Sequence, residues 1–183
     1  TPGTIDIANP AIKAVAVTVV DAKTKEGIQG AAVTVGAQTA TAGGADGKVT
    51  LHLLGGAQYR MVAQKDGYAD SAVMVSVNDE GIAEPDTIEL TAVRDVKIKV
   101  TNGTDPVKDA TVTIVDGNGK PHESKTGDDG NAKVEDVPVP TEGTVTVEKD
   151  GKVVTVPVTV DKDGKATPGT IDIANPAIKA VAV

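Results

Sequence analysis

The stretch AIKAVAVTVV at residues 11–20 sets the pattern for the whole chain: Val15, Val17 and Val19 recur at every second position, separated by Ala16 and Thr18. Successive side chains of a β-strand point to opposite faces, so this period puts the three valines on one buried side. The pattern returns at Val33 and Val35, at Val49, Leu51 and Leu53, at Tyr59, Met61 and Ala63, at Val73, Val75 and Val77, and at Ile88 and Leu90. It then runs again through Val96, Ile98 and Val100, Val112 and Ile114, Val134, Val145 and Val147, Val156, Val158 and Val160, and Ile171 and Ile173. Asp46-Gly47, Asp66-Gly67 and Asp79-Glu80-Gly81 supply turn residues between the runs. No segment as long as about ten residues carries a helical period. Short strands at this spacing predict an all-β fold of two tandem sandwiches, each with one thin core.

Composition narrows the function classes. The chain has 183 residues, a formal net charge of −8, no Cys, Trp or Phe, and only 1% aromatic residues. Valine, at 29 positions, takes the place of the missing aromatics, and its stiff χ1 favours strands. The lack of cysteine rules out disulfides, thiolate metal sites and cysteine nucleophiles. The acidic surplus argues against a nucleic-acid partner, which needs clustered Lys and Arg. No apolar run is long enough for a membrane-spanning helix, and no basic stretch followed by an apolar run opens the chain as a secretory signal does. Two histidines leave little catalytic material.

The chain repeats on two scales. TPGTIDIANPAIKAVAV at residues 1–17 returns unchanged at residues 167–183, an offset of 166. A weaker copy lies halfway, where EPDTIEL from Glu84 matches TPGTIDI from Thr1. Asp46-Gly47 matches Asp129-Gly130, Gly81 matches Gly164, and Val73, Val75 and Val77 match Val156, Val158 and Val160, all at 83 residues. Such a return points to a tandem array of 166-residue units, or to a duplicate appended at one end. The expected division is a closing strand of a preceding repeat at 1–10, a first sandwich repeat at 11–91, a second at 92–174, and the first strand of a next repeat at 175–183. Thr91 to Asp95 is expected to join two separate strands. Ala8-Asn9-Pro10 and its copy Ala174-Asn175-Pro176 form the other junction, stiffened by proline. Charge is uneven: residues 1–83 carry 6 basic and 8 acidic side chains, and residues 84–166 carry 11 and 17.

The segments VTVVDAKTKEGIQGAAVTV, TAGGADGKVTL and YRMVAQKDGYADSAVMVSV, from Val17, Thr41 and Tyr59, resemble the transthyretin-like (prealbumin-like) β-sandwich repeats of bacterial surface proteins. They are similar to carboxypeptidase regulatory-like and Cna protein B-type domains. The resemblance rests on Asp21, Gly30-Ala31, Asp46-Gly47, Tyr59 and Gly67-Tyr68, and in the second repeat on Asp129-Gly130 and the DATVTI strand from Asp109. Lys152 stands where Tyr68 would recur. The resemblance implies two Ig-like or prealbumin-like sandwiches in an elongated rod. Many B-type domains carry a Lys–Asn isopeptide bond promoted by a buried Glu. Lys99, Glu148 and Asn175 are the weak candidates here, because Lys97 and Lys99 fall out of phase with Val96, Ile98 and Val100. Lys13 is in phase, but Gln64 replaces the acid, and no aromatic shell would desolvate a lysine. No such bond is expected.

Other candidates have structural readings. Asp161 and Asp163, and Asp116 and Asn118, show the alternating oxygens of a calcium loop but lack its distal bidentate Glu. A hairpin turn is the expectation and calcium the alternative, as for the Gly127–Gly130 cluster. His122-Glu123-Ser124 is expected in a polar loop between strands, with no relay among neighbours. His52, between Leu51 and Leu53, is expected on the surface. Gly43-Gly44-Ala45-Asp46-Gly47 lacks the Lys-Ser/Thr of a phosphate loop and is expected to be a hairpin. Tyr59 is expected in the core and Tyr68 against a turn.

These readings predict no enzyme and no cofactor. The expected role is a stalk or spacer repeat of an extracellular bacterial cell-surface adhesin, which projects a distal binding domain. The alternative is a binding module whose repeats contact host protein, glycan or calcium. Expected partners are neighbouring repeats of the same chain. Intermolecular strand pairing is a further expectation at Ile5 and Ile7 and over the last seven residues. No nucleic acid and no membrane insertion are expected.

Overall fold

The computed structural model describes residues 12–174. The expectations that fall on residues 1–10, on Asn175 and on the last seven residues lie outside the described residues. The chain divides into two compact units, Thr1–Thr91 and Ala92–Val183. Every regular element among the described residues is a strand.

The first unit contains β1 (Ile12–Asp21), β2 (Ala32–Val35), β3 (Gln38–Thr41), β4 (Lys48–Leu54), β5 (Ala57–Gln64), β6 (Tyr68–Ala69), β7 (Ser71–Val77) and β8 (Ala83–Glu84). The first residues of β9 (Thr87–Asn102) complete it. β1 pairs antiparallel with β4, which sets Val15 opposite Leu51 and Val17 opposite Val49. On its other side β1 pairs in parallel with β9, Val19 opposite Ile88 and Asp21 opposite Leu90. The second sheet runs β3-β2-β5-β7-β8. Between the two sheets lie Val15, Val17, Val19, Val49, Leu51, Leu53, Ile88 and Leu90 from one side, and Val33, Met61, Ala63, Val75, Val77 and Ala83 from the other. Fully burying one such side chain contributes about 1.5–3 kcal/mol. The alternation in β4 is complete, with Val49, Leu51 and Leu53 buried and Lys48, Thr50, His52 and Leu54 exposed.

The second unit repeats this plan. Its strands are the remainder of β9, then β10 (Asp105–Pro106), β11 (Thr111–Val115), β12 (Pro121–Lys125), β13 (Asn131–Pro138), β14 (Thr141–Lys149), β15 (Lys152–Val160), β16 (Ala166–Thr167) and β17 (Thr170–Asp172). β13 lies antiparallel to β9, with Ala132 opposite Ile98 and Val134 opposite Val96. β17 lies parallel to β9, with Ile171 opposite Val100. The other sheet runs β12-β11-β14-β15-β16. Val96, Ile98, Val100, Val134 and Ile171 face Val112, Ile114, Val145, Val147, Val156, Val158 and Val160 across its core. Most strands have a plain counterpart: β13 stands for β4, β11 for β2, β12 for β3, β14 for β5, β15 for β7, β16 for β8 and β17 for the opening of β9, while β6 and β10 have no counterpart strand.

Three local expectations need correction. Thr91 to Asp95 does not separate two strands, because Thr87–Asn102 is one continuous strand. Even-numbered side chains face inward on either side of the segment, at Ile88 and Leu90 and at Val96 and Ile98, and TAVRD holds no Gly or Pro to break the strand. Gly43–Gly47 does not close a hairpin. It connects β3 in one sheet to β4 in the other, with Gly47 N–H bonded to Gly44 O at 3.2 Å and Val19 N–H to Gly47 O at 2.9 Å. Gly47 sits at φ +69, and a Cβ there would run into the Val19 carbonyl oxygen. Its counterpart Gly130, at φ +72, packs in the same way on the Val100 carbonyl. Only glycine combines that backbone angle with that approach. His122-Glu123-Ser124 is not a loop but the middle of β12.

Candidate functional site

The turns form the most chemically loaded parts of the molecule. At the β11–β12 turn, Asp116 N–H bonds to Lys120 O at 3.0 Å and Gly119 N–H to Asp116 O at 2.9 Å. The Asp116 side chain closes the same turn, with Oδ1 accepting from Asn118 N–H at 2.8 Å and Lys120 N–H at 3.0 Å. Asp161 repeats this at the β15–β16 turn, accepting from Asp163 N–H at 3.0 Å and Lys165 N–H at 2.9 Å. In the first unit Asn78 does the same for Glu80 and Ile82 at 3.0 and 2.8 Å. The residue type fits the task, since a short acceptor side chain mimics the backbone of a turn.

This geometry answers where the calcium candidates lie. The leading carboxylate of each pair accepts backbone N–H groups, which place partial positive charge at the oxygen a cation would approach. Asp163 pairs with Lys162 Nζ at 2.8 Å and is exposed. Asn118 is exposed and holds the turn through its N–H. In the Gly127–Gly130 cluster, Asp129 accepts from the N–H and the side-chain amide of Asn131 at 3.0 and 2.7 Å. Among the described residues no three His, Cys, Asp or Glu side chains come together as a metal would require. The bonds from Asn131 lower the Asp129 pKa below the ordinary carboxylate value. The Lys165 N–H does the same for Asp161.

One buried polar pair stands apart from these exposed turns. Asp116 Oδ2 lies 3.2 Å from His122 Nε2, with side chains only 1% and 6% exposed. Burial pushes the Asp116 pKa up, but the Lys120 N–H, His122 and the Asn118 N–H together hold it below the ordinary carboxylate value. The neighbouring Gly117 N–H bonds to Thr141 Oγ1 at 3.0 Å, which ties this turn to the start of β14. The sequence carried a signal for the inward His122. A turn at residues 116–119 places residue 122 opposite Ile114, and Ile114 faces the core. The first unit has no such pair, because β2 and β3 are joined through Gly36 and Ala37.

The isopeptide candidates do not meet in one core. Lys99 is exposed on β9, in antiphase to Ile98 and Val100, and Glu148 is exposed on β14, in antiphase to Val147. The two strands belong to opposite sheets of the sandwich, so their outward side chains point apart. In the first unit Lys13 is half-buried and Gln64 exposed. His52 is exposed on β4. Tyr59 packs against the core and donates its hydroxyl to Leu54 O at 2.9 Å. Tyr68 also packs against that core.

A shallow groove of about 340 Å³ in the second unit is lined by Asp95, Lys97, Asp163, Gly164, Lys165, Ala166 and Gly169. Its two carboxylates and two ammonium groups alternate in sign and concentrate no net charge. No nucleophile and general base come within hydrogen-bond reach of each other around it.

No family model matches the chain, and no curated protein matches it. Among solved structures it is similar to the Bacillus anthracis TIE protein at 19% identity and a TM-score of 0.38, over 88% of this chain and 34% of that one. It is also similar to a Streptococcal ancillary pilin at 17% identity and a TM-score of 0.36, over 90% of this chain and 62% of that one. The chain thus spans about a third and about three fifths of the solved chains it matches. Likeness at that level decides neither fold nor function.

Proposed function

We propose that this chain is a stalk or spacer segment of a bacterial cell-surface protein, whose work is to hold a distal binding domain away from the envelope. One observation carries the reading. A Val-cored sandwich with the same sheet order returns at a spacing of about 83 residues, and a 17-residue segment then recurs without change at 166. Repetition of this kind lets reach scale with copy number, which is what a spacer requires. The side chains give further support. Aspartates that close turns, exposed lysines and a groove of balanced charge offer scaffold chemistry rather than a reaction centre. The resemblance of the turn and core residues to transthyretin-like repeats of bacterial surface proteins supports the surface location.

The test is small-angle scattering on chains of two and four 83-residue units. A maximum dimension that grows in proportion to unit number supports a spacer; a compact particle that grows only with the cube root of mass overturns it. Glycan binding by a single unit would favour the binding-module reading instead.

A further inference from the structure

The two units treat one sheet edge differently. In the first unit Asn78 donates its N–H to Ile82 O and accepts from Gly81 N–H, both at 3.0 Å, so its backbone faces the β8 side. Strand backbone groups alternate in direction, so Ser76, Met74 and Ala72 face that side as well. β8 is only two residues long and covers Ser76 and Val77. Among the described residues β7 pairs only with β5 and β8. Ala72 and Met74 therefore present their N–H and C=O groups along an open edge. Met74 is 57% exposed, and no charged residue occurs from Ser71 to Asn78.

The second unit carries the same edge on β15, where Asp161 bonds to Lys165 and Gly164 just as Asn78 does to its own turn. The outward-facing positions there are Thr159, Pro157 and Thr155. Pro157 is the counterpart of Met74 at the 83-residue offset. Proline has no N–H to offer a neighbouring strand and is a known device for closing a sheet edge. The fold thus accepts proline at this site, and only one unit has it.

We propose that the open Ala72–Met74 part of this edge is a self-association surface, which pairs antiparallel with the same residues of a second copy of this chain. With Val73 on the two-fold axis, Ala72 lies opposite Met74 of the second copy and the reverse, each pair exchanging N–H···O bonds in both directions. Charge favours this partner. An uncharged segment meets an uncharged segment, and residues 1–83 carry a net charge of only −2, against −6 for residues 84–166. The pairing is confined to Ala72–Met74, because Ser76 is already paired with Glu84 of β8. The pairing joins two copies of this chain and does not depend on the spacer reading.

The test is sedimentation equilibrium of the full chain up to roughly 1 mM, a range in which weak pairing is visible. The wild-type weight-average mass is expected to rise from 18.4 kDa toward twice that value. Met74→Pro, which imports the residue of the second unit, is expected to remain at one chain mass. Met74→Lys keeps the N–H but sets charge against charge, and is expected to do the same should the proline variant lose its fold. Pro157→Met is expected to open a second edge and carry association beyond the dimer. A wild-type chain that stays monomeric throughout overturns the proposal. So do Met74→Pro and Met74→Lys variants that are folded and associate like the wild type.

Discussion

Asp116 and His122, six residues apart, meet inside the second unit with Oδ2 and Nε2 3.2 Å from each other, while the other oxygen of Asp116 closes the turn between them. One buried carboxylate thus joins two elements of the hairpin, whereas the matching turn of the first unit is Gly36 and Ala37, both exposed. Removing it should be felt in that hairpin. Asp116→Ala is expected to destabilise the second unit by about 1–3 kcal/mol, the cost of stranding hydrogen-bond partners that had a charged acceptor. Denaturant titration of the variant measures this directly, and a loss within error of zero would remove the pair from the account.

The pH dependence of that loss has a definite sign. The folded Asp116 pKa is depressed below the ordinary value of 3.8, despite burial that pushes it upward, because N–H groups and His122 hold the anion. A depressed carboxylate stabilises the fold above its unfolded pKa, and the contribution disappears as pH falls through the folded value. The stability gap between wild type and Asp116→Ala should therefore narrow as pH falls below the ordinary carboxylate range. Melting curves across an acid series would expose the opposite trend if the anion were not the stabilising form.

Glycine substitutions separate conformation from crowding. Gly36 and Gly47 both have positive φ, but a Cβ on Gly36 meets nothing within 4 Å, whereas one on Gly47 strikes the Val19 carbonyl. Gly36→Ala should cost about 1–2 kcal/mol, the penalty of a left-handed angle alone. Gly47→Ala should cost measurably more, because β1 and the β3–β4 connection must separate. Equal losses at the two sites would refute the close approach.

Core truncation tests the sandwich itself. Ile98 is fully buried between the sheets of the second unit, and Ile98→Ala is expected to cost about 2–5 kcal/mol. Ile12→Ala, at a side chain 68% exposed, should change stability by no more than about 0.5 kcal/mol. Chemical denaturation of the two variants provides the comparison, and similar losses would contradict the assigned phase of the strands.

Cation and cross-link chemistry can be checked on the intact chain. The leading oxygens of the Asp116 and Asp161 turns already accept N–H groups. The melting temperature should therefore be the same in calcium and in EDTA, and a calcium-dependent rise would instead assign those turns to a cation. Lys99 and Glu148 face away from the core on opposite sheets. The intact mass should accordingly match the sequence with no loss of ammonia.

Period-two alternation of valine, isoleucine and leucine by itself determined which side chains of β1, β4, β7, β11 and β15 face inward. Hydrophobic burial on a pleated strand leaves one choice of phase, and Val15, Val49, Val75, Ile114 and Val158 all took it. Turn residues likewise marked the Asp116 and Asp161 turns and the one at Asp79-Glu80-Gly81, because their backbone angles depend on local chemistry. Tertiary structure decided the rest. β3, β8, β10 and β16 are too short or too polar to carry a period, and they exist because a longer strand lies beside them. β12 reads PHESK and becomes a strand only by pairing with β11, which turns His122 inward onto Asp116. The parallel pairing of β17 with β9 joins residues about 70 apart, and no local signal specifies such a partner. The open edge at Met74 and its proline-closed counterpart became visible only once neighbouring strands fixed which backbone groups face outward.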